Sequence, residues 1–122
     1  MAEMVAELVI ERISFDYGVE FAAGDGSVVR VEGEGSVVSH GQPPVWFDAE
    51  SAGPVASVLL GFLHQGAKVL LDGSTLQLSA DDVGLVLRVA PSNEYEAWST
   101  AMADGSRIVC MDDGTVSRWA AS

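Results

Sequence analysis

Arg107-Ile108-Val109-Cys110-Met111-Asp112-Asp113-Gly114-Thr115-Val116-Ser117-Arg118-Trp119 shows in one run how this chain is built. Two segments rich in β-branched and aromatic residues flank an Asp-Gly pair. Aspartate tolerates the left-handed backbone region and glycine occupies it freely, so the pair suits a two-residue hairpin turn. A tight turn there sets Met111 opposite Val116 and Ile108 opposite Trp119, pairs that stabilise a hairpin through side-chain contact.

The same punctuation recurs upstream. Asp25-Gly26, Asp104-Gly105 and Asp72-Gly73 each separate β-like segments, and Asp81-Asp82 reads as a looser turn. The predicted strands before the last hairpin are Val9 to Asp16, Val19 to Ala23, Val28 to Glu32, Ser36 to Val38, Val69 to Leu71, Thr75 to Ser79, Leu85 to Val89 and Ala97 to Met102. In the first, Val9, Ile13 and Phe15 share a face and Glu11 breaks the alternation. One segment has helical period. Val55, Val58, Leu59, Phe62 and Leu63 fall on one face, Pro54 suits the first turn and Gly66 suits the end, predicting a helix over about 54–65. Ser39 to Gly53 reads as a long connection containing Pro43-Pro44, ordered in part by burial of Trp46 and Phe47. Gly26-Ser27-Val28-Val29-Arg30-Val31 resembles Gly84-Leu85-Val86-Leu87-Arg88-Val89, and each follows a short strand, Val19-Glu20-Phe21 or Leu76-Gln77-Leu78. That faint repeat supports two meanders around one helix. The expected architecture is α+β: a single domain over 1–122, mainly antiparallel β-meanders of about nine short strands (8–38 and 67–120) packed with one amphipathic helix.

Composition bounds function. A chain of 122 residues, 48% of them hydrophobic, has material for one core. Eighteen acidic residues against six basic ones leave a formal net charge of −12. Such a field opposes nucleic-acid backbones and anionic membranes, which need clusters of Lys and Arg. Lys68 is the one lysine, and the arginines form no stripe. No apolar run approaches the ~18 residues of a spanning helix. Met1-Ala2-Glu3-Met4 has no basic n-region, so the expected localisation is cytoplasmic. Cys110 is alone; it reads as a small core residue.

Candidate chemistry is sparse. His40 and His64 do not form a metal-ligand spacing, and the acidic turns lack the alternating oxygen ligands of a calcium loop. Glu94 and Glu96 share a face if extended, but a carboxylate pair needs a substrate cleft to act as acid and base; Glu96 can instead pair with Arg107. No serine sits in a Gly-x-Ser-x-Gly elbow, and Gly24-Asp25-Gly26 and Gly33-Glu34-Gly35 are not phosphate loops. The expectation is therefore no catalytic, cofactor or metal residues, no cofactor, and no enzyme activity. The aromatics carry a different hypothesis. Trp and Tyr dominate binding hot spots because they bury area at small entropic cost. Trp46, Glu94, Tyr95, Glu96 and Trp98 are the candidate partner-binding residues; the competing reading of Trp46, Tyr95, Trp98 and Trp119 is core or lid.

Several elements together resemble a family of short actinobacterial proteins described as a domain of unknown function. They are Gly24-Asp25-Gly26 with Arg30-Val31-Glu32-Gly33, Leu59-Leu60-Gly61, Leu87-Arg88-Val89-Ala90-Pro91, Tyr95-Glu96-Ala97-Trp98, Asp104-Gly105, Val109-Cys110 and Gly114 through Trp119. Asp81-Asp82 departs from the Asp-Gly turn expected there. The resemblance implies an intracellular actinobacterial protein and implies no activity. Charge, size and the missing catalytic groups favour a non-enzymatic protein-binding module, in concrete form an accessory or immunity-type protein for a basic partner. The alternatives are a small-molecule-binding domain with an aromatic-lined pocket and a self-associating structural protein, a homodimer paired through edge strands.

Overall fold

The structure is a computed structural model that describes residues 3–16, 18–48, 53–92, 94 and 96–120. Eleven strands make up most of it: β1 Glu3–Ser14, β2 Val19–Ala23, β3 Val28–Val31, β4 Gly35–Ser39, β5 Val45–Phe47, β6 Gly66–Asp72, β7 Thr75–Ala80, β8 Leu85–Val89, β9 Trp98–Ala101, β10 Arg107–Cys110 and β11 Val116–Trp119. All pairings are antiparallel, in the order β11-β10-β9-β3-β2-β1-β6-β7-β8-β4-β5. The single domain is thus mostly β rather than α+β, and it has more strands than the nine expected. The difference comes largely from the connection after Ser39, where Val45–Phe47 pairs with β4 as a short edge strand.

β1 belongs to two sheets. Its first part, through Val9, pairs with β6, and from Ile10 onward it pairs with β2. The register slips between Ile10 and Arg12, which places an extra residue at Glu11. The broken alternation in the sequence is therefore a bulge, and a bulge bends its strand and re-aims the side chains. The first sheet is β1-β6-β7-β8-β4-β5 and the second is β1-β2-β3-β9-β10-β11. They enclose one hydrophobic core in which Ile10, Phe21, Val29, Val69, Leu78 and Leu87 are fully buried. Burying each such side chain contributes about 1.5–3 kcal/mol. Two ties reach from the second sheet to the first: the Trp98 indole N–H donates to the carbonyl of Ser74 at 2.9 Å, and Arg118 bridges to Glu3 at 2.8 Å.

The faint sequence repeat is matched in the topology. β1-β2-β3 and β6-β7-β8 are meanders that meet at β1 and β6. Their internal registers coincide: Glu20 faces Arg30 as Gln77 faces Arg88, and Phe21 faces Val29 as Leu78 faces Leu87. The strand that follows each meander crosses to the other one. β4, after β3, pairs with β8, and β9, after β8, pairs with β3. Ser36 consequently lies beside Arg88 as Ser99 lies beside Arg30.

Three Asp-Gly turns are longer by one residue than expected. In each, the glycine N–H donates to the carbonyl three residues back, and the N–H of the residue before the loop donates to the carbonyl of Ser or Thr four residues on: Ala23 to Ser27, Met102 to Ser106, Met111 to Thr115. Gly26, Gly105 and Gly114 have φ of 95°, 94° and 85°. This is a type I turn closed by a left-handed glycine bulge. The aspartate Oδ1 accepts the N–H of the following Ser or Thr at 2.8–2.9 Å, which fixes the extra residue in the loop. The last hairpin therefore pairs Cys110 with Val116 and Arg107 with Trp119, not Met111 with Val116 or Ile108 with Trp119. Asp72-Gly73 differs: Asp72 faces Thr75 around a two-residue Gly73-Ser74 loop.

The helical stretch is shorter and tighter than predicted. A 3₁₀ turn at Gly53–Val55 leads into α1, Ala56–Leu59, and a second 3₁₀ turn at Leu60–Phe62 ends it. Val55, Leu59 and Phe62 are buried as the period required, and Phe62 meets Phe21 edge-to-face at 5.6 Å. The end comes before Gly66, which already opens β6. His64 takes a left-handed φ of 64° and its N–H donates to the carbonyl of Ile10 at 2.6 Å, handing the chain to the sheet. Glycine at position 61 also weakens helix propensity.

Candidate functional site

Directly opposed residues in neighbouring strands share a face. On the outer face of the first sheet one such rank runs Leu70, Gln77, Arg88, Ser36, Trp46, from β6 to the open edge. Trp46 is 74% exposed, the most exposed of the large hydrophobic side chains among the described residues, and Val45 beside it is 43% exposed. Phe47, the next residue, turns inward and is buried, because alternation sends it to the other face. Trp46 forms the shared wall of two recesses. One, of ≈ 270 Å³, is lined by Glu34, Ser36, Trp46, Thr75, Arg88 and Ala90. The other, of ≈ 300 Å³, is lined by Glu34, Trp46, Phe47 and Asp48. These are at the small end for ligand sites and fit a group the size of a side chain.

The electrostatics of this surface are unusual for so acidic a chain. The ion pairs among the described residues are Arg30 with Glu32, Lys68 with Asp81 and Arg118 with Glu3. Arg88 is exposed and has none, although Glu34 lines the same recess. Elsewhere several acids are engaged locally. Hydrogen bonds from Ser106, Thr115 and Ser79 hold the carboxyls of Asp104, Asp113 and Asp81 below their ordinary range, and the Arg118 guanidinium does the same for Glu3. Burial pushes the Cys110 thiol up, away from nucleophilic reactivity.

The sequence-predicted partner residues do not form one surface. Trp46 is exposed on the outer face of the first sheet. Trp98 is not: it is 1% exposed, packed in the core with its indole N–H bound to Ser74, because its position in β9 faces the interior. Glu94 and Glu96 are exposed in an irregular stretch between β8 and β9, and neither lines the recesses beside Trp46. The N–H of Glu94 donates to Ser92 Oγ. Tyr95 lies outside the described residues. Arg107 faces Ala101 and Trp119, and the expected pair with Glu96 is absent from the ion pairs of the described residues. Arg88, Ser36 and Thr75 were not legible as site residues, since a lone arginine and two hydroxyls carry no motif. The aligned repeat was the one available signal, because it sets Arg88 beside the position of Arg30.

Among the described residues no group of three His, Cys, Asp or Glu side chains comes together to hold a metal. No helix among them is long and apolar enough to cross a membrane. The described residues of this surface thus comprise an exposed indole, a guanidinium that has no ion pair among the described residues, and two hydroxyls, beside the last strand in the sheet order. No curated protein and no solved structure matches the chain. A family match does exist over residues 1–120, and by it the chain belongs to the family of unknown function DUF6188.

Proposed function

We propose that this chain is a non-enzymatic protein-binding module of the cytoplasm that docks its partner on the β5 edge and the recesses beside Trp46. The observation that carries the reading is Trp46 itself. An indole held 74% exposed on an ordered strand loses the stabilisation its burial would give the monomer. Among the described residues that strand is the last in the sheet order, and the N–H and C=O groups of an edge strand can extend the sheet onto an added strand. The finer form of the reading is an accessory or immunity-type protein for a partner with a basic surface. The net charge of −12 supports it through long-range attraction, and stands against a nucleic-acid partner.

Affinity capture from the source cells with the wild-type chain and with Trp46→Ala tests this. The expected result is a partner retained by the wild type and lost from the variant. Equal retention by both would move the site elsewhere, and capture of nothing would defeat the reading. The recess of ≈ 270 Å³ favours a second reading, a small-molecule-binding domain. A thermal-shift screen separates the two, because a ligand that binds only the folded chain raises its melting temperature. Light scattering reads the third, a homodimer through the β5 edge.

A further inference from the structure

Arg30 and Arg88 hold the same position in the two meanders. Arg30 sits between two carboxylates: Glu20 faces it across the strand pair, and Glu32, two residues on and just past the end of β3, bonds it at 2.9 Å. At Arg88 both positions are neutral. Gln77 stands where Glu20 does, and Ala90, two residues along, stands where Glu32 does. The serine on the far side is kept, Ser99 beside Arg30 and Ser36 beside Arg88. Beyond it, Val109 in the second sheet is replaced by Trp46 in the first. Thus one arginine is neutralised from within, while its counterpart has no ion pair among the described residues and lines a recess walled by an exposed indole.

From this juxtaposition we infer that the Arg88 recess is a binding site for one carboxylate on a planar or apolar body, the carboxylate on Arg88 and the body against Trp46. A guanidinium presents paired N–H donors that match a carboxylate, and Ser36 and Thr75 line the recess with further hydroxyl donors. The ligand carboxylate takes the place that Glu20 and Glu32 fill for Arg30. Glu34, on the same recess, repels a second carboxylate, and the net charge of −12 repels an acidic run, so a single carboxylate fits best. The inference rests on the reading of the Trp46 surface as the docking site and names the chemistry which that site recognises.

Two-dimensional NMR of the full chain, reading the Trp46 indole N–H and the Arg88 side chain, tests it with benzoate against benzamide. Two end-blocked pentapeptides, Thr-Val-Glu-Val-Thr and its Gln counterpart, form the second arm. Benzoate is expected to shift both signals and benzamide to leave them. Arg88→Gln is expected to weaken the response roughly tenfold or more, the loss of a hydrogen bond to a charged group. Ala90→Glu, which recreates the Arg30 arrangement, does the same, and being exposed it reads the site even if Arg88→Gln misfolds. Conversely, Glu20→Gln with Glu32→Ala is expected to make Arg30 respond to benzoate. Equal responses to benzoate and benzamide, or a response that survives both Arg88→Gln and Ala90→Glu, overturn the inference. Peptide binding that ignores Glu against Gln also overturns it but leaves docking at β5 intact. Benzoate binding with neither peptide bound upholds the carboxylate site and assigns it to a free small molecule, while the capture with Trp46→Ala decides the docking reading separately.

Discussion

The two outermost strands each present a tryptophan to solvent, Trp46 on β5 and Trp119 on β11, and they are secured in different ways. β11 pairs with β10 over four residues, and Arg118 clamps the Glu3 carboxylate with two hydrogen bonds of 2.8 and 3.1 Å. A charged residue on an edge strand discourages further pairing, and one that is bonded back to the body also anchors the strand. β5 pairs over three residues and has no charged residue within it. Its anchor is Phe47, whose ring lies over Gly35: a Cβ at Gly35 would meet Phe47 Cζ at 2.8 Å. One edge is thus closed by charge and the other is held from beneath by a ring, with no described strand paired to its outer side. The register-equivalent of Gly35 in the second sheet is Trp98, so the large ring on that layer comes from the central strand there and from the edge strand here.

That exchange of sizes makes the largest prediction. Trp98→Ala removes a buried indole and leaves the Ser74 carbonyl unpaired. A loss of about 3–5 kcal/mol is expected in urea unfolding. A loss below about 1 kcal/mol would mean that Trp98 is not the core of the second sheet. Next comes Gly35→Ala. The added methyl must displace Phe47, at a cost of about 1–3 kcal/mol, and the release is local. Hydrogen exchange should quicken at the amides of β4 and β5 while β10 and β11 keep their protection. Uniform loss of protection would show that the β5 anchor is not independent.

The Asp-Gly turns mark how much was legible in the sequence and how much was not. They predicted hairpins, and hairpins form at each. Loop length is not legible from the pair: Ser27, Ser106 and Thr115 each bond the turn aspartate in the longer loops, yet Asp72-Gly73-Ser74 carries the same pattern and closes a two-residue loop. One residue of loop moves every pairing of the last hairpin. The helix shows the converse. Its buried positions followed from period, but its length did not, since its end is set by a hydrogen bond to Ile10, a partner remote in sequence. β5 was hidden because three residues after Pro43-Pro44 carry too little pattern, and with β5 went the placement of Trp46. A third prediction follows from the turns. Gly114→Ala forces a side chain into φ of 85° and should cost about 1–2 kcal/mol by urea unfolding. No loss would mean a different turn conformation.

The charge clamp on β11 gives an effect smaller still, with a defined sign. Folding lowers the pKa values of Glu3, Asp113 and Asp104 through Arg118, Thr115 and Ser106. The unfolded chain therefore takes up protons first. Stability from these groups is fully present above the ordinary carboxylate range and drains as pH falls through it toward the folded values. Because the groups are exposed, the change is modest. The protection factors of β11 amides, corrected for the intrinsic pH dependence of exchange, should fall on acidification before those of β5 do. If β5, which carries no charge, responds first, the clamp is not what secures the other edge.

Trp46→Ala has the smallest expected effect on folding and bears most on function. With 74% of its surface already in water, the indole has little burial to lose, and the urea midpoint should stay within about 0.5 kcal/mol of the wild type. Captured partner should fall away in the same variant. That pairing of an unmoved stability with a lost partner distinguishes a residue kept for recognition from one kept for packing, and Trp119→Ala is its internal control: it too is exposed, but on the edge that Arg118 closes. If both variants lose the partner equally, the two edges do not differ in the way their anchoring implies, and the docking surface extends over both sheets. If Trp46→Ala destabilises the chain by several kcal/mol, the indole belongs to the fold, and the open edge of β5 loses its reason for being read as a site.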